Sequence, residues 1–85
     1  MGIQLTSMEA FKQALPRIGE HQAIVLDYIA EHGPVSNKQI AEGLDWEINS
    51  VTPRVLELRV MEKVKFAGYR EDPKTGRHEM MWEVV

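Results

Sequence analysis

The sequence predicts a mainly α domain closed by a small antiparallel β-hairpin. Three observations lead there. Apolar residues recur at helical spacing as far as Met61, the period changes to alternation after Lys63, and a turn-forming stretch at residues 71–77 divides the alternating part in two. At 85 residues the chain has room for one core. A hydrophobic fraction of 44% and a charged fraction of 27% exclude disordered, collagenous and low-complexity classes.

The elements follow in order. Thr6 and Glu9 have the spacing of a capping box, and Met8, Phe11, Leu15 and Ile18 recur at helical spacing. A first short helix is expected over residues 7–15, ended by Pro16. A second helix is expected over residues 19–32, with Gln22, Val25, Leu26 and Ile29 on one face and Gly33-Pro34 as its stop. Ser36 suits the N-cap of a third helix over residues 37–43, with Ile40, Ala41 and Leu44 turned inward. Two turns of helix are unstable alone, so it must pack on its neighbours.

Asp45 marks a sharp break, in a residue type that tolerates the left-handed conformation. A fourth helix is expected over residues 49–61, its inner stripe being Ile48, Val51, Val55 and Leu58. Pro53 fits if Asn49 or Ser50 is the N-cap, because first-turn amides have few intrahelical partners to lose. It then marks a start and not an interior. Two strands follow. Val64 and Phe66 share one side of the first, while His78, Met80, Trp82 and Val84 share one side of the second. Pro73 early and Gly76 late make the intervening stretch a polar, partly basic tip.

Helix, short helix, tight turn, helix and hairpin, carried by QAIVLDYIAEHGPVSNKQIAEGLDWEINSVTPRVLELRVMEKV at residues 22–64, resembles the trihelical core of winged helix-turn-helix DNA-binding proteins such as the MarR-like regulators. The segments NSVTPRVLEL and DPKTGR are similar to those of small phage-type winged-helix proteins. The resemblance covers residues 20–84 and implies an N-terminal extension helix over 1–18 and a winged helix-turn-helix domain over 19–85. Asp45 stands where such a turn usually carries Gly, and Glu47 where the next helix usually has a Ser or Thr N-cap, so two negative charges flank that helix end.

The resemblance implies double-stranded DNA as partner, transcription regulation as purpose, a phage or bacterial setting and no cofactor. By position, Asn49, Ser50, Thr52 and Pro53 would face the major groove, flanked by Arg54 and Glu57. Asn pairs bidentately with adenine, Arg with guanine, and the Thr methyl meets the thymine methyl. The bland alternative is that Asn49 and Ser50 only cap the helix and Arg54 pairs with nearby carboxylates. Leu56 is turned outward, toward DNA, the N-terminal helix or a protein. The wing offers Lys65, Arg70, Lys74 and Arg77 to phosphate or minor groove, or simply to solvent. Lys38 is a further phosphate candidate at a helix N-terminus. Four or five neutralised phosphates predict a salt slope of about −4.

The net charge is −3, and the basic groups concentrate late, with Lys63, Lys65, Arg70, Lys74 and Arg77 inside fifteen positions. That distribution predicts modest non-specific affinity. A competing reading is a protein-binding adaptor that docks on host machinery, supported by Glu47, Leu56 and Glu57 on the would-be recognition face. Pairing of the N-terminal helix with a second copy would make a homodimer; packing on its own domain would not. Trp46 and Trp82 are expected in or near the core, or with Tyr69 as a stacking platform for single strands. The three histidines have no ligand spacing, Ser7, Ser36 and Ser50 sit at expected caps, and no glycine-rich phosphate loop follows a strand, so an enzyme is not expected. Cysteine is absent, which excludes disulfides and thiolate sites. The longest apolar run, Ala23 to Leu26, is far short of a membrane span, and no export signal is read at the N-terminus, so a cytoplasmic location is expected.

Overall fold

The computed structural model describes residues 18–85. Its elements are α1 (Glu20–His32), β1 (Val35–Ser36), α2 (Asn37–Leu44), α3 (Ile48–Val60), β2 (Val64–Glu71) and β3 (His78–Val84). The helix expected over residues 7–15, with Met8, Phe11 and Leu15, lies outside the described residues. None of the described helices is long and apolar enough to cross a membrane.

Local chemistry sets the helix ends. The Gly19 amide donates to Gln22 Oε1 at 2.9 Å, and the Gly33 amide closes the far end of α1 on the Ile29 carbonyl at 2.7 Å. At α2 the Ser36 hydroxyl accepts from the Gln39 amide at 3.1 Å, while Gln39 Oε1 accepts from the Ser36 amide at 3.0 Å. Two orphan donors are thereby satisfied reciprocally. Asp45 ends α2 in the left-handed region, at φ 56° and ψ 42°, and the Trp46 amide reaches back to the Ala41 carbonyl at 2.9 Å.

The start of α3 decides between two expectations. It begins at Ile48, with Glu47 in the cap position, as the resemblance implied, and no side-chain cap bond; neither Asn49 nor Ser50 is the cap. The Ser50 amide closes the first turn on the Glu47 carbonyl at 2.9 Å. Pro53 therefore lies inside the helix, past that turn. Trp46 packs on the core just before the helix begins. Proline's missing N–H leaves the Asn49 carbonyl without its i+4 donor. Asn49 is exposed. Ile48 also departs from the expected inner stripe: it is 44% exposed, because it stands at the helix mouth, beyond the buried layer of Val51, Val55 and Leu58.

The sheet has three antiparallel strands in the order β1-β3-β2. The hairpin was expected; β1 was not, since two residues cannot display a period of two. Val35 pairs with Trp82 and Ser36 with Met81. In the hairpin, Val64 faces Val84, Lys65 faces Glu83 and Phe66 faces Trp82; the register then shifts before Tyr69 meets Met80. Gly68, at φ 102°, sits in that irregularity, where a side chain would be strained. Burial in the sheet is confined to the end where Val35, Val64 and Trp82 lie. Val64 and Trp82 are buried, while Phe66, Met80 and Val84, expected on the same inward sides, are 45%, 40% and 38% exposed.

One buried cluster unites the layers. Val25 and Ile29 of α1, Ile40 and Ala41 of α2, Val51, Val55 and Leu58 of α3, and Val35, Val64 and Trp82 of the sheet belong to it. Leu26, Tyr28, Leu44, Trp46 and Met61 pack against it. The described residues thus form a helix-rich α+β arrangement of three helices and a three-stranded antiparallel sheet.

Candidate nucleic-acid interface

The first turns of α3 present Asn49, Ser50, Thr52 and Pro53 to solvent. Their exposure follows from the inner stripe: with Val51 and Val55 fixed inward, the intervening positions rotate out. The only side-chain hydrogen bond among these four, within the described residues, is weak: Thr52 Oγ1 accepts from Asn37 Nδ2 at 3.4 Å.

Arg54 belongs to a different constellation. Its Nε and Nη2 donate to the two oxygens of Glu57 at 2.7 and 2.9 Å, and Gln22 of α1 adds a third bond to Glu57 Oε1 at 2.7 Å. The Arg54 fork is filled. Hydrogen bonds from Arg54 and then Gln22 hold the Glu57 carboxyl down to about 2, and the same contact raises Arg54. The carboxylate pairing that competed with base reading for Arg54 is the arrangement present.

The hairpin tip is organised by Asp72, one of two buried polar residues among those described. Its side chain accepts from Lys38 of α2 and, at 2.9 Å, from the Lys74 amide. Its backbone closes the turn, the Asp72 amide donating to the Arg77 carbonyl at 2.8 Å and the Gly76 amide to the Asp72 carbonyl at 2.7 Å. The Lys38 ammonium, followed by the Lys74 amide, lowers the Asp72 carboxyl to about 2; Lys38 is raised in turn. Lys74 Nζ lies 4.0 Å from Glu42 Oε2, a second and looser tie between the tip and α2.

The remaining basic residues divide. Arg70 is half-buried against Glu79 at 3.4 Å, and Lys65 faces Glu83 at 3.8 Å. Lys65 stands six residues of strand from Glu71, about 20 Å from the tip. Arg77 is exposed and has no ion-pair partner among the described residues. Tertiary structure therefore brings Lys38, Lys74 and Arg77 to one corner, directs Arg54 toward α1 and separates Lys65. Lys38 and Glu42, which reach the tip, also line a hollow with Ile48 and Thr52 of α3 and Glu79 and Met80 of β3. The hairpin and the opening turns of α3 flank that one groove.

Sequence reading assigned the tip's cations but not the carboxylates that hold them. Asp72 carries a signal, since Asp is favoured at the first position of a turn containing Pro and Gly. Its partner Lys38 is 34 positions away, and nothing local names it. The tryptophans take their expected core places. Trp82 is buried with the Arg59 guanidinium 4.5 Å from its ring centroid, and Trp46 stacks edgewise on His21 at 5.1 Å. Tyr69 is exposed beside Phe66, so these three aromatics do not share one surface. No family model matches this chain, and no curated protein is similar to it.

Proposed function

We propose that the protein is a winged helix-turn-helix domain that binds double-stranded DNA and regulates transcription. In this reading α2, the Asp45 turn and α3 form the helix-turn-helix, and the β2–β3 hairpin is the wing. The observation that carries it is the exposed run of Asn49, Ser50, Thr52 and Pro53 on α3, beside a groove whose other walls are β3 and the Lys38 and Glu42 that touch the cation-bearing hairpin tip. Asn49 offers the bidentate amide that suits adenine, and Thr52 a methyl that suits thymine. Ser50 and Pro53 complete the groove-facing surface.

Arg77 and Lys74 are the phosphate contacts that need no rearrangement. Lys74 is 78% exposed and its pairing with Glu42 is loose. Lys38, beside the α2 N-terminal amides, remains with Asp72. Two phosphates instead of four or five lower the salt slope to about −2. Titration of a labelled random duplex at about 50 mM and then about 200 mM salt tests this: binding weakens with that slope, and Lys74→Glu with Arg77→Glu weakens every duplex alike. Asn49→Ala changes sequence preference by about 1–3 kcal/mol when duplexes are selected from a random pool. Pairing through the N-terminal helix would show as a two-fold repeat in the selected sequences.

A protein-binding adaptor is the second reading. Leu56 and Val60, 56% and 71% exposed, lie one helical turn apart on the outer side of α3, and Asp45 and Glu47 are exposed at its start. Duplex binding that is absent, or indifferent to salt, transfers the function to that surface.

A further inference from the structure

Arg54 and Glu57 continue the exposed face of α3, one helical turn beyond Ser50 and Pro53 respectively. Their side chains are 29% and 39% exposed, and with Gln22 they line a dent of about 380 Å³ at the start of α1. Gln22 Nε2 and Arg54 Nε both donate to Glu57 Oε1 at 2.7 Å, and Arg54 Nη2 donates to Glu57 Oε2 at 2.9 Å. The guanidinium and the carboxylate are thus locked side by side and braced from α1.

The hydrogen-bonding capacity of that unit is only partly used. A carboxylate oxygen offers about two acceptor sites, and a guanidinium about five N–H groups. Oε1 accepts twice and is full; Oε2 accepts once and keeps a free site. The N–H groups on Arg54 Nη1 and the second one on Nη2 have no partner among the described residues. Two parallel donors at the end of Arg54 therefore stand beside one acceptor on Glu57. As an ion pair the unit carries no net charge, so Glu57 does not repel phosphate as a free carboxylate would.

In the major groove a G·C pair presents two acceptors and then a donor: guanine N7 and O6, followed by cytosine N4. An A·T pair presents acceptor, donor, acceptor, which sets a donor against one of the two Arg54 donors. We propose that Arg54 and Glu57 together read one G·C base pair, Arg54 Nη1 and Nη2 donating to guanine and Glu57 Oε2 accepting from cytosine N4. Gln22 touches no base and is a positioning residue, holding the carboxylate that holds the guanidinium. The inference rests on the reading of α3 as the helix that contacts DNA, and it gives α1 a share in specificity.

Selection of duplexes from a random pool by the full chain yields sequences with one fixed G·C pair. In a selected duplex, 7-deazaguanine at that pair removes the N7 acceptor, and N4-methylcytosine removes the outward N4–H. Each weakens binding at least about fivefold. Arg54→Ala abolishes the penalty for 7-deazaguanine, and Glu57→Ala that for N4-methylcytosine. Gln22→Glu keeps an acceptor for the Gly19 amide but withdraws the donor from Glu57, and both penalties shrink below about threefold while the other selected positions stay the same. A merely structural strut between α1 and α3 would leave the penalties untouched. Duplex binding without a fixed G·C pair, or with both modified bases tolerated, overturns this proposal and leaves the DNA reading standing. Absence of any duplex binding at about 50 mM salt removes both.

Discussion

On the buried side of α3, Val51, Val55 and Leu58 join a cluster of apolar side chains that contains no charged residue. At the hairpin tip, Asp72 is itself buried, and the tip is tied to α2 by Lys38–Asp72 and, more loosely, by Lys74–Glu42. The first region is held by removal of apolar area from water, which is non-directional and nearly indifferent to pH. The second is held by charge-assisted hydrogen bonds, which need one protonation state and one geometry. A single small domain therefore has an interior that conditions hardly touch and a corner whose placement depends on them. That corner carries three of the cations assigned to partner binding.

The contrast can be tested from its strongest arm downward. Leu58 is fully buried, so Leu58→Ala costs about 2–5 kcal/mol, read as a lower urea midpoint with an unchanged slope. A loss below about 1 kcal/mol would deny this face its role as the core. Gly43 probes the same interior from α2. A Cβ there would lie 2.0 Å from the Tyr28 hydroxyl and 2.4 Å from its ring. Gly43→Ala is thus destabilising by about 1 kcal/mol, although alanine is the better helix former. In a Tyr28→Ala background the same change becomes stabilising, and a double-mutant cycle reads the reversal.

The tip responds to acid. Asp72 titrates at about 2 instead of 3.8 because of Lys38 and the Lys74 amide, and Glu57 at about 2 instead of 4.5 because of Arg54 and Gln22. Both folded values are depressed, so their contributions are present above the unfolded values and lost as pH falls from about 4 to about 2. Hydrogen-exchange protection at the Lys74 and Gly76 amides drops about tenfold across that window, while protection at Val55 and Leu58 changes less. Asp72→Asn reproduces the tip's loss at neutral pH. Equal loosening of tip and core would erase the distinction. The smallest effect belongs to Lys65, whose 3.8 Å pairing with Glu83 is exposed on both sides: Lys65→Ala shifts stability by less than about 0.5 kcal/mol in the same urea assay.

Much of the framework was legible in the residues. The Ser36 cap, the Asp45 break, the Gly33 stop and the change of period after Lys63 are signals between near neighbours, and each element they mark is present. The misses share a cause. β1 is too short to display its period, and Ile48 and Phe66 continue an apolar pattern past the edge of the layer that covers it. Pro53 followed a local rule about first turns, but the helix starts at Ile48 and takes Pro53 into its interior. Among the candidate contacts, exposure of Asn49, Ser50, Thr52 and Pro53 followed from the stripe beside them. The pairing of Arg54 with a nearby carboxylate was one of the two readings offered; the contact of Gln22 with Glu57 and of Lys38 with Asp72 was not legible.

Sequence alone determined which segments coil, which extend and where each stops, because capping, backbone stereochemistry and hydrophobic periodicity act over a few residues. Only the tertiary structure decided that Lys38 is taken by Asp72, which apolar side chains find no cover, and which elements line the groove beside α3. Lys38 and Asp72 stand 34 positions apart in the chain and Gln22 and Glu57 35, and such contacts arise only when the helices and the sheet close on a common core.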